Sequence, residues 1–149
     1  MRAFLAVALF ATVAGSASAA KHPSACALLT NAEAGKALGA RIAYVTPQSG
    51  PVQSCTWNSA PLSKATSVRK WLMVQLTAKT EAVFVHDEGG QQGSVPIRGI
   101  GKIAFGTPGN QVVQLAVWKD GYAFTVFVTY AASPLKTELG LARIVAQHL

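Results

Sequence analysis

Val113-Gln114-Leu115-Ala116-Val117-Trp118-Lys119-Asp120-Gly121-Tyr122-Ala123-Phe124-Thr125-Val126-Phe127-Val128-Thr129-Tyr130 is the stretch that decides the fold. Val113, Leu115 and Val117 alternate with Gln114 and Ala116. Beyond Lys119-Asp120-Gly121, the side chains of Tyr122, Phe124, Val126, Val128 and Tyr130 share one face, and Thr125 and Thr129 take the other. Successive side chains of a strand point to opposite faces. Two alternating runs joined through Asp-Gly, a pair that tolerates the positive φ of a tight turn, predict a β-hairpin with one face in a core.

Downstream, Ser133 reads as a helix cap and Pro134 as the first helical position. Leu135, Leu139, Ala142, Val145 and Leu149 recur three or four residues apart and form an apolar stripe. Lys136, Glu138, Arg143 and Gln147 fall largely off it, which places Glu138 on the exposed side of a helix lying across the sheet. Upstream, residues 95–97 and 102–105 read as short strands around Gly99-Ile100-Gly101, followed by a turn over 106–110. Residues 80–88 suit a helix or an irregular crossover, and 89–93 a glycine-rich loop. Residues 68–76 predict a strand with Val68, Leu72, Val74 and Leu76 on one face. Trp71 and Met73 take its other face, so both sides are expected to be covered.

Residues 53–57 and 42–46 predict two further strands, the latter ended by Pro47. Trp57 follows Cys55 by two residues, so both point to one face. Thr30-Asn31-Ala32-Glu33 is a capping box, and Gly39 ends the helix that it starts. There is no repeat and no linker. The expectation is one α+β domain, an antiparallel sheet flanked by an N-terminal and a C-terminal helix.

The N-terminus carries a different signal. Arg2 precedes a nearly unbroken apolar run over residues 3–14, then Gly15-Ser16 and the small-x-small pattern Ala17-Ser18-Ala19. This predicts a secretory signal peptide over residues 1–19, cut after Ala19 or Ala20, and a domain over 20–149. A buried helix or a membrane anchor is the alternative, but the run is shorter than the roughly 20 residues that a span needs. The first cysteine, Cys26, follows His22-Pro23-Ser24-Ala25 and lies well past the apolar run, so no lipid anchor is expected. Polar residues interrupt every later apolar run, so no span is expected in the mature chain. The expected location is the periplasm or the exterior of a bacterial cell, with the mature chain soluble.

The 149 residues carry a net charge of +7, one less once Arg2 leaves with the leader. Lys64, Arg69 and Lys70 are the densest basic group, with Arg98 and Lys102 a second pair; no run of five like charges occurs. Dispersed charge on an exported chain reads as a solvated surface, and no nucleic-acid partner is expected. Cys26 and Cys55, an even count in an exported chain, predict a disulfide. It would close a loop of about 30 residues, worth roughly 3.5 kcal/mol on the chain-entropy model. The alternative, a redox or metal pair, has neither Cys-x-x-Cys nor a histidine at ligand spacing to support it.

Chemistry is sparse. His86 is followed by Asp87 and Glu88, either a solvated loop or one side of a metal site; His22 and His148 lie near the termini. Of six carboxylates, Glu33 is taken by capping and Asp120 by a turn, which leaves little for paired acid–base work. Gly99-Ile100-Gly101 is half a dinucleotide motif without its strand-loop-helix setting, and a tight turn explains it. No catalytic residue, metal or cofactor is expected. Trp57, Trp71, Trp118, Phe127 and Tyr130 are candidate ligand-binding residues; the competing reading for each is simple core.

Cys26-Ala27-Leu28-Leu29-Thr30 with Glu33-Ala34 and Leu38-Gly39, then Cys55-Thr56-Trp57, then Gly99-Ile100-Gly101 before a hairpin and a last helix, resembles a family of small exported domains of unknown function. That family is best known among actinobacterial lipoproteins and is similar to the extracellular sensor domain of some serine/threonine kinases. The resemblance implies a Cys26–Cys55 disulfide, a curved antiparallel sheet with helices on one side, and a non-catalytic binding or sensing role. Two departures stand out: the lipid-anchor cysteine is missing, and Lys102 stands where such domains often carry an acid. The expected function is a binding or accessory domain that holds a small apolar or amphipathic ligand between sheet and helix, or senses an envelope signal. The alternatives are an interaction module, such as an inhibitor or envelope adaptor using residues 59–70, and a hydrolase built on His86.

Overall fold

The computed structural model describes residues 23–61, 68–107, 112–129 and 134–149. The expected leader, Lys64, Tyr130, the Ser133 cap and most of the turn after Thr107 lie outside the described residues. A 3-10 turn, Ala25–Ala27, precedes helix α1, Asn31–Leu38. Strands β1 (Ile42–Gln48), β2 (Val52–Ser59) and β3 (Trp71–Ala78) follow, then helix α2 (Glu81–Gly89). Strands β4 (Val95–Ile97), β5 (Ile103–Thr107), β6 (Val112–Lys119) and β7 (Tyr122–Thr129) lead to helix α3 (Pro134–His148).

The seven strands form one sheet in the order β1-β2-β3-β7-β6-β5-β4, antiparallel at every step. Two meanders, β1 to β3 and β4 to β7, meet where β3 pairs with β7. Helix α2 carries the chain from the centre to the far edge, and the second meander walks back. The hairpin anticipated from the alternating pattern joins β6 to β7, with Lys119 opposite Tyr122. Asp120 and Gly121 between them have φ of 49° and 86°. Positive φ at both central residues gives the turn whose twist matches paired strands.

Pro47 does not end β1. It pairs with Cys55 inside the strand. A proline is tolerated there because β1 is an edge strand and the lost N–H is not needed by a second neighbour. Val68 lies outside β3 and is 44% exposed.

Alternation divides the sheet into two faces. Cys55, Trp57, Leu72, Val74, Leu76, Leu115, Val117, Phe124, Val126 and Val128 face one way into the main core. Leu28, Leu29, Ala34 and Leu38 from the N-terminal segment cover them, with Leu141, Ala142 and Val145 from α3. Cys26 and Cys55 are disulfide-bonded, with Cα atoms 5.0 Å apart, which fastens the start of the domain to β2. Helix α1 starts with the expected capping box: Thr30 Oγ1 accepts from the Glu33 amide at 3.2 Å, and Glu33 Oε2 accepts from the Thr30 amide at 2.8 Å. Gly39 closes it at φ 58°.

The opposite face is covered by α2 over β5 and β6, where Phe84 packs on Ala116, Ala123, Ile103, Phe105 and Trp118. Helices therefore lie on both faces, not on the single face that the family resemblance implies. Over β3, only part of the second face is covered. Gly101, at φ 58°, lets the chain turn between β4 and β5: a Cβ there would come within 2.5 Å of Val117 Cγ1 and 2.8 Å of the Trp118 carbonyl. Among the described residues, no helix is long and apolar enough to cross a membrane.

One helix assignment is overturned. Glu138 is fully buried, not exposed. Helix α3 turns Glu138, Leu141, Ala142 and Val145 toward the sheet, while Leu139 is only partly buried. The inward stripe keeps Ala142 and Val145 of the apolar pattern but adds Leu141 and, in place of Leu139, a carboxylate.

Candidate functional site

Helices α1 and α3 are each fastened to the sheet at their C-terminal ends. Lys70 Nζ donates to the Leu38 carbonyl at 2.9 Å, and Lys119 Nζ donates to the Ala146 carbonyl at 2.6 Å. The carbonyls of a last helical turn lack helical partners, and the negative end of the helix dipole favours a cation there. His148 Nδ1 lies 2.9 Å from the Leu28 carbonyl. A carbonyl only accepts, so Nδ1 carries the proton.

Between these anchors the two helices leave a cleft of about 530 Å³, lined by Glu33, Lys36, Ala37, Lys136, Thr137, Gly140, Leu141 and Ile144. Residues three and four apart share a helix face. Glu33, Lys36 and Ala37 meet that spacing on α1, as do Thr137, Gly140, Leu141 and Ile144 on α3. The apolar part of the lining is Ala37, Leu141 and Ile144. At Gly140 an added Cβ would meet nothing within 4 Å, so the glycine leaves open space. Lys36 and Lys136 are exposed. Among the described residues, neither ammonium is in an ion pair. The Glu33 carboxylate is held below its usual range by hydrogen bonds from the Thr30 backbone and side chain. It is thus ionised and already engaged.

A second cavity of about 380 Å³ is lined by Gly99, Ile100, Gly101, Lys119, Arg143, Ala146 and Gln147. Lys119 there is already bound to the helix end and lies 3.8 Å from Asp120.

Of the aromatic residues singled out from the sequence, the described ones, Trp57, Trp71, Trp118 and Phe127, line neither cavity. Trp57 is 1% exposed and belongs to the main core with Cys55. Trp118 packs under α2; its Nε1 donates to the Lys79 carbonyl at 2.7 Å, and Lys102 Nζ sits 5.5 Å from its ring centre. Trp71 and Phe127 are partly exposed on the second face of the sheet. Met73 is opposite Phe127, flanked by Thr56 and Gln114, and Asn58 is opposite Trp71. Tyr130 lies outside the described residues.

Of the basic residues noted in the sequence, Arg69, Lys70 and Lys102 are engaged within the fold, while Arg98 is exposed. Arg69 donates to the Ser59 carbonyl at 3.0 Å and covers the Tyr44 ring at 5.5 Å, and Lys102 pairs with Glu81 at 2.6 Å. The His86 side chain is 90% exposed and touches Asp87 at 3.3 Å. Asp87 also pairs with Lys79 at 3.0 Å, which holds its carboxyl below the usual range. Glu88 accepts from Gln91. Among the described residues, no three His, Cys, Asp or Glu side chains come together as a metal site would require.

The cleft was missed because its polar residues look like an ordinary solvated helix face. The one available signal was Gly140 inside a helical pattern, where glycine costs about 1 kcal/mol relative to alanine. Glu138 was missed for the opposite reason, since a charged residue type biases the helix face outward. Burial pushes its carboxyl up to about 8. Neither oxygen has a hydrogen-bond partner among the described residues.

No protein-family model matches the chain, and no curated protein is significantly similar to it.

Proposed function

We propose that this chain is an exported, non-catalytic binding domain that holds a small amphipathic molecule in the cleft between α1 and α3. The observation that carries the reading is the cleft itself. Its volume of about 530 Å³ lies within the roughly 300–1,000 Å³ of small-molecule sites, and such sites combine an apolar lining with a few polar groups. In this reading the ligand lies between two helices on the core side of the sheet, not against the aromatic residues expected from the sequence. The apolar N-terminal run and the disulfide support export, and the thin inventory of acid–base and nucleophilic groups supports binding over catalysis.

Native mass spectrometry of the mature protein, released gently from its own host, tests this reading. An added mass of a few hundred daltons, lost in the Gly140→Phe variant, is the expected result. A bare mass in the wild type, with no uptake of added single-chain amphiphiles, would overturn it.

A second reading, an envelope interaction module, is favoured by Trp71, Met73 and Phe127. These three lie together and partly exposed on the sheet face away from the cleft. A partner protein held there would be retained by Gly140→Phe and lost by Phe127→Asp.

A further inference from the structure

We infer that the ligand of the α1–α3 cleft is a free single-chain amphiphile with an anionic head, such as a medium-chain carboxylate. This deepens the binding reading above and rests on it. The head would sit between Lys36 and Lys136, and the chain would lie along Ala37, Gly140, Leu141 and Ile144.

Charge complementarity selects the head. Two cations and one carboxylate line the cleft. Glu33 accepts from both the amide and the hydroxyl of Thr30, each at 2.8 Å, and so is tied into the capping box. Lys36 is three residues away on the same helix, at a spacing that permits ion pairing, yet it makes no ion pair with Glu33. The other structural lysines behave differently: Lys70, Lys79, Lys102 and Lys119 each have a partner within 3.0 Å. Among the described residues, Lys36 and Lys136 are left with their charge available, and both border the same cleft. Long lysine stems also cover apolar surface while the ammonium stays in water, which suits a ligand whose head emerges from the cleft.

The apolar floor selects the tail. Gly35 and Gly140 both lie inside helices, but for different reasons. A Cβ at Gly35 would crowd the Ala40 carbonyl at 3.1 Å, so local packing accounts for that glycine. A Cβ at Gly140 would meet nothing within 4 Å, so packing does not account for it. What the missing side chain provides is room between Ala37 and Leu141 for a slender apolar body.

Isothermal titration of the mature protein with decanoate and with decanol, at low and high salt, separates the possibilities. The expected result is that decanoate binds and Lys36→Gln/Lys136→Gln weakens it roughly two- to thirty-fold, the range for two exposed ion pairs. Salt should weaken it as well. Decanol should bind more weakly, unaffected by the lysine changes. Gly140→Phe, which fills the cleft at a position with space for it, should abolish both while the circular dichroism spectrum stays unchanged.

Equal binding of decanoate and decanol, insensitive to the lysine changes, would overturn the anionic head and leave the cleft reading standing. Binding of neither molecule would overturn both. Decanoate binding that survives Gly140→Phe would place the site elsewhere. Lysine-dependent binding to phosphatidylglycerol vesicles without uptake of free decanoate would replace the free amphiphile with a membrane surface.

Discussion

Lys70 Nζ donates to the carbonyl of Leu38, 32 residues earlier in the chain, at 2.9 Å. Lys119 repeats the arrangement at Ala146, so a lysine in a strand or just before one closes the C-terminal end of each cleft helix. These contacts hold α1 and α3 to the sheet without drawing them together. Lys70→Met and Lys119→Met should each cost about 1 kcal/mol, since a charged donor and its dipole interaction are lost from a partly exposed site. Urea denaturation at neutral pH measures the loss.

Glu138 makes stability fall as pH rises. Burial raises its folded-state value from 4.5 to about 8, so the folded chain keeps a proton that the unfolded chain releases across that interval. The contribution is full below about pH 4.5, declines by at most about 1.4 kcal/mol per pH unit, and levels off above about pH 8. Glu33 and Asp87, whose values are lowered, act in the other sense and only as pH falls below the usual carboxylate range. The urea midpoint of the wild type should therefore drop between pH 5 and 8, and that of Glu138→Gln should stay nearly level. A wild-type midpoint that does not move over this range would refute the assignment.

Gly140→Ala should stabilise the chain by about 0.5–1 kcal/mol, because alanine is the better helix former and its Cβ has free space. The same change narrows the cleft, so stability should rise while uptake of a single-chain amphiphile weakens. Thermal melting and titration of one protein sample measure the two effects together.

The Cys26–Cys55 bond links residues 29 positions apart and joins the N-terminal turn to β2. Replacing both cysteines with alanine should cost roughly 3.5 kcal/mol on the loop-entropy model. Leu28 and Leu29, buried just after Cys26, should gain hydrogen-exchange rate most.

Much of this architecture can be read from local patterns. The Asp120-Gly121 turn, the alternation on either side of it and the Thr30–Glu33 capping box are local chemistry, and each appears in the fold as the residues imply. The N-terminal and C-terminal helices flank an antiparallel sheet, as expected. What the sequence did not show depends on contacts between distant segments. Pro47 reads as a strand end unless β1 is known to be an edge. Glu138 reads as solvent-facing unless the roll of α3 against β7 is known. The cleft joins residues about a hundred positions apart, and Trp71 and Phe127 stood out by size although they lie on the other side of the sheet.

Methyl-resolved NMR of the protein during titration with decanoate tests the cleft most directly. Saturable shifts are expected at the methyl groups of Ala37, Leu141 and Ile144, with Met73 on the opposite face unmoved. Shifts centred on Met73 with the cleft methyls silent, or no shift at any of them, would contradict the cleft reading.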